Sequence, residues 1–114
     1  MGRLTDIPLA PNQKKALHQL RHQLFNNFAV VDLILYGSIV RGEMDSESDI
    51  DLLILTEQPL DRRTRHQITD LVFEVNLAYD TNFSTLVLDR ETWDKGIASV
   101  LPIHDEIARE GIPV

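Results

Sequence analysis

Residues 36–52 read YGSIVRGEMDSESDIDL. The stretch sets a Gly-Ser pair after an apolar run, follows it with an arginine and a polar loop, and ends in two aspartates one residue apart. From Asp49 to Thr56 the chain continues as DIDLLILT, a run of the kind that forms a buried strand. Side chains alternate across a strand, so Asp49 and Asp51 project from one face while Ile50 enters the other. Two such carboxylates repel each other unless a cation lies between them, and Mg²⁺ commonly binds through one or two carboxylates plus substrate phosphates. Taken alone, D-x-D usually marks two solvated aspartates at the start of a strand. What precedes this pair shifts the balance.

Val30 to Tyr36, VVDLILY, reads as a second largely buried strand running into a turn at Gly37. A glycine there lets the backbone approach a ligand closely, and Ser38 offers both its N–H and its hydroxyl. If Ser38 to Arg41 forms a helical turn, the free N–H groups at its start point at an anion. Arg41 adds a delocalised positive charge suited to a polyphosphate. Gly42 suits a left-handed exit from the turn, and Ser48 can cap the loop or hydrogen-bond a phosphate oxygen. A phosphate cradle on one strand end and an acidic pair on its neighbour are together the equipment for a nucleoside triphosphate.

Outward from this centre, Pro11 suits the first turn of a helix carrying Leu17, Leu20, Leu24, Phe25 and Phe28 on one stripe, preceded by an arm over residues 1–10. Asp61 is a good N-cap for a helix that turns Ile68, Leu71, Val72 and Val75 inward and ends near Tyr79. NFSTLVL, from Asn82 to Leu88, predicts a third strand, and Asp89 caps a turn of helix through Trp93. Pro102 to Glu110 predicts a last helix with Ile103, Ile107 and Ala108 facing inward, stopped by Gly111. The order is α-β-turn-β-α-β-α. One small mixed sheet with helices packed on it, an α/β (α+β) fold, is the economical arrangement.

With 114 residues the chain makes a single domain over 1–114. It has no cysteine, so thiolate zinc sites and disulfides are excluded and packing alone must hold the fold. A net charge of −7 argues against general nucleic-acid binding, which needs a basic surface, while it suits a metal site or a basic partner. No apolar run approaches the ~20 residues of a membrane span, and a cytoplasmic protein with no membrane association is expected.

The spacing Gly37-Ser38, ten residues, Asp49-Ile50-Asp51 is similar to the GS-x10-D-x-D signature of minimal nucleotidyltransferases of the polymerase-β superfamily. The resemblance covers roughly Leu33 to Leu55. It implies a nucleotidyltransferase fold and transfer of a nucleoside monophosphate from an NTP to a hydroxyl, with release of pyrophosphate. It further implies that Asp49 and Asp51 ligate one or two Mg²⁺ ions and that Gly37 and Ser38 hold the triphosphate of ATP, with Arg41 supporting the departing pyrophosphate. Active members of that family also carry a third carboxylate on a neighbouring strand. Here the comparable strand reads FSTLV and puts Ser84 at that place. The substitutes visible in sequence are Glu74 on the preceding helix, taken as a candidate catalytic residue, Asp80 before the strand and Asp89 after it.

The short form resembles the antitoxin-like nucleotidyltransferases of prokaryotic two-gene modules. That resemblance implies a small all-helical HEPN protein as partner in a hetero-oligomer, and adenylylation of a hydroxyl on it. Two other readings fit the sequence: a catalytically inactive binding module that neutralises or scaffolds the helical partner, and a small-molecule nucleotidyltransferase completed by a separate helical subunit. Trp93, Phe83 and Ile112 are candidates for a contact surface, though core packing suits each better. His18 and His22 have metal-ligand spacing but no acidic neighbours in the motif, and read as a solvated pair. His66 and His104 have no evident partner.

Overall fold

A computed structural model describes residues 3–43 and 49–114 of the chain. The elements run α1 (Pro11–Asn27), β1 (Val30–Tyr36), α2 (Ser38–Arg41), β2 (Ile50–Thr56), α3 (Arg62–Tyr79), β3 (Phe83–Asp89), α4 (Arg90–Asp94), α5 (Pro102–Glu110) and β4 (Ile112–Pro113). Two single turns of 3-10 helix, Leu4–Asp6 and Ile97–Val100, complete the order. The strands form a four-stranded mixed sheet in the order β3-β2-β1-β4. β1 pairs antiparallel with β2 and with β4, whereas β2 pairs parallel with β3 across the α3 crossover.

Strand β2 is central, and its alternation divides the protein. Ile50, Leu52 and Ile54 point to one side, where they pack with Leu33 and Leu35 of β1 under Leu17, Leu20 and Leu24 of α1 and Ile68, Val72 and Val75 of α3. Leu53 and Leu55 point to the other, into a smaller core with Tyr36, Trp93, Ala98 and Ile107. The second face is therefore roofed by α4, the turn after it and α5. Trp93 also stacks on His104, ring centroids 4.3 Å apart, which joins α4 to α5 and gives His104 a partner.

The end of α3 sets the register of β3. Asp80 takes the left-handed conformation (φ 55°) that ends the helix. The Asn76 amide then donates to the Phe83 carbonyl at 3.1 Å and accepts from the Phe83 N–H at 2.9 Å, as a neighbouring strand would. The same Asn76 oxygen accepts from the Thr81 hydroxyl at 3.0 Å. This clamp seats Phe83 beside Ile50 and Ser84 beside Asp51.

Several expectations change in detail. The segment before Pro11 is no free arm, because Ile7 and Leu9 are buried in the larger core. Ala108 is exposed, and Gly111 ends α5 with an extended backbone (φ −62°). Gly111 is required there for space: a Cβ would lie 2.7 Å from Ile34 Cγ2, where the chain folds back to form β4. Trp93, Phe83 and Ile112 are all core residues, while the exposed large apolar side chains include Phe73, Leu77, Ile97 and Val100. No described helix is long and apolar enough to cross a membrane.

Asn76→Ala strands the Phe83 N–H and carbonyl against the end of α3. It should cost about 1–3 kcal/mol, the penalty for leaving a part-buried backbone group without its partner. Urea unfolding monitored by Trp93 fluorescence measures it, and a stability equal to wild type would remove the clamp from the account of the fold.

Candidate active site

The antiparallel ladder of β1 and β2 sets Tyr36 opposite Asp51. The next residue, Gly37, has φ 84°, and a Cβ on it would overlap the nearer Asp51 carboxylate oxygen and lie 3.3 Å from the carboxyl carbon. Only glycine permits that approach. α2 starts at once: the Val40 and Arg41 N–H groups return to the Gly37 carbonyl at 3.1 and 3.4 Å. As the first residues of the turn, Ser38 and Ile39 have no acceptor for their own N–H groups within it. Gly42, at φ 71° and ψ 20°, is left-handed as its sequence position foretold, and the chain leaves toward the loop.

Asp51 shares its face of β2 with Leu53 and Leu55, beside Tyr36. Its carboxyl pKa is raised, first by desolvation and then by the charges of Asp49 and Glu106, with Arg41 opposing them. The Tyr36 phenol is raised too, chiefly by burial and then by Asp51 and Glu106. The cluster is thus over-supplied with negative charge. Among the described residues no group of three or more His, Asp or Glu side chains is placed to hold a metal. Two carboxylates that repel each other are nonetheless the protein share of a Mg²⁺ site whose other ligands are substrate phosphates and water. The donor set fits that ion.

Arg41 lies between this cluster and α5. Its Nε donates to Glu43 at 3.0 Å, and its Nη1 reaches Glu106 at 3.3 Å and Glu110 at 3.1 Å. Hydrogen bonds to Glu43 and Glu110 are the main reason its pKa rises. Nη2 makes none of these contacts. Glu106 and Glu110 were not singled out in the sequence. The signal was an acidic pair at i, i+4 flanking the inward-facing Ile107, and it becomes legible only once α5 is known to pack on Tyr36.

Gly37, Ser38, Arg41, Asp49 and Asp51 come together, whereas the proposed replacements for a third carboxylate do not. Glu74 is on α3, which packs against the face opposite Asp51, and it lies in a surface groove with Gln19, Gln23 and Leu71. Helical periodicity gave α3 an inward stripe but could not say which side of the sheet it covers. Asp80 is the left-handed cap of that helix. Asp89 pairs in register with Thr56, at the far end of the strands from the Asp51–Ser84 pair; that is about 17 Å away along β2. Its carboxylate caps α4, accepting from the Thr92 N–H at 3.0 Å and hydroxyl at 2.6 Å. Ser84 is exposed directly beside Asp51. Ser48 lies outside the described residues.

A family model described as a nucleotidyltransferase domain matches residues 14–98. A protein of Methanocaldococcus jannaschii named "Putative protein adenylyltransferase" is 28% identical over 102 residues, covering 88% of this chain and 95% of that protein. A second protein of the same name and organism is 34% identical over 55 residues, covering 48% of this chain and 56% of its own length. Among solved structures, the crystal structure of a toxin–antitoxin with AMP-PNP aligns at a TM-score of 0.57 and 18% identity, over 88% of this chain and 70% of that one. At that identity the likeness concerns the fold.

Gly37→Ala must move the Asp51 carboxylate and strain a left-handed backbone, at roughly 1–3 kcal/mol; an unchanged melting temperature would show the contact to be dispensable. Asp51→Asn tests the charge. A carboxyl whose folded pKa exceeds its unfolded value favours folding when protonated, so its contribution is present below the unfolded pKa and lost as pH rises through the folded one. In metal-free buffer the Asn variant should therefore melt higher than wild type at pH 7, and the difference should fade toward about pH 4. Equal melting across that range would contradict the repulsion.

Proposed function

Because the chain belongs to the nucleotidyltransferase domain family, we propose that it transfers AMP from Mg-ATP to a hydroxyl on a partner HEPN protein, and thereby serves as the antitoxin of a pair. The observation that carries this reading is the contact between the Gly37 backbone and Asp51. It brings a turn whose first N–H groups have no acceptor within it and an acidic pair to one point. The adenylyltransferase name of the relative aligned over most of both chains supports AMP as the group transferred. The toxin–antitoxin described with AMP-PNP supports a protein partner in a hetero-oligomer. Such a pair acts in the cytoplasm.

Asp49 and Asp51 would hold the metal, which would relieve their mutual repulsion. Magnesium, when bound, polarises the α-phosphate and offsets the charge that develops on the leaving group. The Ser38 and Ile39 N–H groups and the Ser38 hydroxyl donate to triphosphate oxygens. Arg41, through the Nη2 edge that Glu43, Glu106 and Glu110 do not use, faces the β- and γ-phosphates and favours their departure as pyrophosphate. The acceptor oxygen bonds to the α-phosphorus as the bond to the β-phosphate oxygen breaks, and the hydroxyl proton leaves to a base.

Ser84 favours a second reading. A hydroxyl beside Asp51 is neither a strong metal ligand nor a base at neutral pH, and a protein so equipped can bind the nucleotide and the partner without turnover. The two separate in one experiment. The partner is co-purified, incubated with Mg²⁺ and ATP, and weighed intact, with the Asp49→Asn, Asp51→Asn double variant as control. A gain of one or more AMP units with wild type alone is the expected result. No gain with the complex intact would establish the binding module.

A further inference from the structure

We propose that Glu106 supplies the carboxylate that Ser84 does not, acting from α5 as the base that takes the proton of the attacking hydroxyl. This rests on the transferase reading. The residue sits on the correct face. Its neighbour Ile107 packs in the same small core as Tyr36, and Tyr36 lies opposite Asp51 in the β1–β2 ladder. None of the three carboxylates suggested by sequence shares that position: Glu74 is across the sheet, Asp80 caps the end of α3, and Asp89 is at the far end of the strands.

Glu106 is also reachable. Its side chain is 37% exposed, and the partner described for it is Arg41 Nη1 at 3.3 Å. Glu110 takes the same Nη1 from the next turn at 3.1 Å, and Glu43 takes Nε. Partly exposed pairs of this sort are weak, so a triphosphate can compete for the guanidinium and leave Glu106 free on the Asp51 side of the sheet. The two α5 carboxylates differ in one respect. The charge of Glu106 bears on both Asp51 and Tyr36, while that of Glu110 is not among the causes acting on either. In the step itself the acceptor O–H bond breaks and its proton passes to a Glu106 carboxylate oxygen, while the acceptor oxygen bonds to the α-phosphorus and the bond from that phosphorus to the β-phosphate oxygen breaks, releasing pyrophosphate.

The test compares wild type, Glu106→Gln, Glu110→Gln and the double variant Glu106→Gln, Ser84→Asp, each in the complex with the partner. It reads single-turnover AMP transfer and, separately, the rise in melting temperature that Mg-ATP produces. Glu106→Gln should slow transfer on the order of 10²-fold, the usual share of a general base, while the Mg-ATP increment persists. Glu110→Gln should lose far less rate than Glu106→Gln, and Ser84→Asp should restore much of the rate lost in Glu106→Gln, because its carboxylate would stand beside Asp51. Wild-type rate in Glu106→Gln overturns the inference and leaves the transferase reading standing. So does an equal loss in Glu110→Gln, which would assign the effect to Arg41, or a double variant as slow as Glu106→Gln. Absence of transfer by wild type overturns both.

Discussion

The close approach of the Gly37 backbone to the Asp51 carboxylate is the constraint around which the candidate site is built. It follows from two facts of different kinds. The antiparallel ladder fixes Tyr36 opposite Asp51, so the first residue past the end of β1 must lie beside that side chain. The backbone at that residue then turns through a positive φ to start α2, a conformation and a proximity that a Cβ would forbid. Neither the turn nor the aspartate can move independently. The first N–H groups of α2 and the Asp51 carboxylate are thereby held close to each other.

The sheet separates stability from chemistry. One face carries α1 and α3, and its core of leucine, isoleucine and valine accounts for most of the buried side chains. The other carries only short helices, so the Asp51 end of β2 is left partly open. That openness has an energetic signature. Asp51 is desolvated enough to raise its pKa, yet remains accessible enough for a ligand to reach it. A carboxylate placed at Leu52 or Ile54, on the closed face, would meet only apolar side chains.

The local features of this arrangement were legible in sequence because they depend on local chemistry. Strand β1, the turn after it, both long helices and the Asp61 and Asp89 caps all fall where periodicity and capping residues put them. The grouping of Gly37, Ser38, Arg41, Asp49 and Asp51 was readable for the same reason, since two neighbouring strands and one turn suffice to assemble it. Tertiary placement was not readable. Glu74 is on a helix of the predicted extent, but nothing in a 3.6-residue repeat states which face of a sheet that helix will cover. The short β4 pairing, made by Ile112 and Pro113, carries no periodic signal at all, although it anchors the end of α5 against β1. Glu106 and Glu110 reach Arg41 from a helix that this pairing and the packing of Ile107 hold against β1.

Arg41 shows how a chain of net charge −7 can still be suited to a polyanion. Glu43, Glu106 and Glu110 surround its guanidinium, and Asp49 and Asp51 stand nearby, so the neighbourhood as a whole is negative. A bare triphosphate approaching it would be repelled. A triphosphate that brings its own divalent cation meets the aspartate pair with the opposite sign, and its phosphates then compete for a guanidinium whose carboxylate partners are half-exposed and weakly held. On the proposed function, the acidic surplus would discriminate between the free nucleotide and its metal complex before any contact with the base or the ribose.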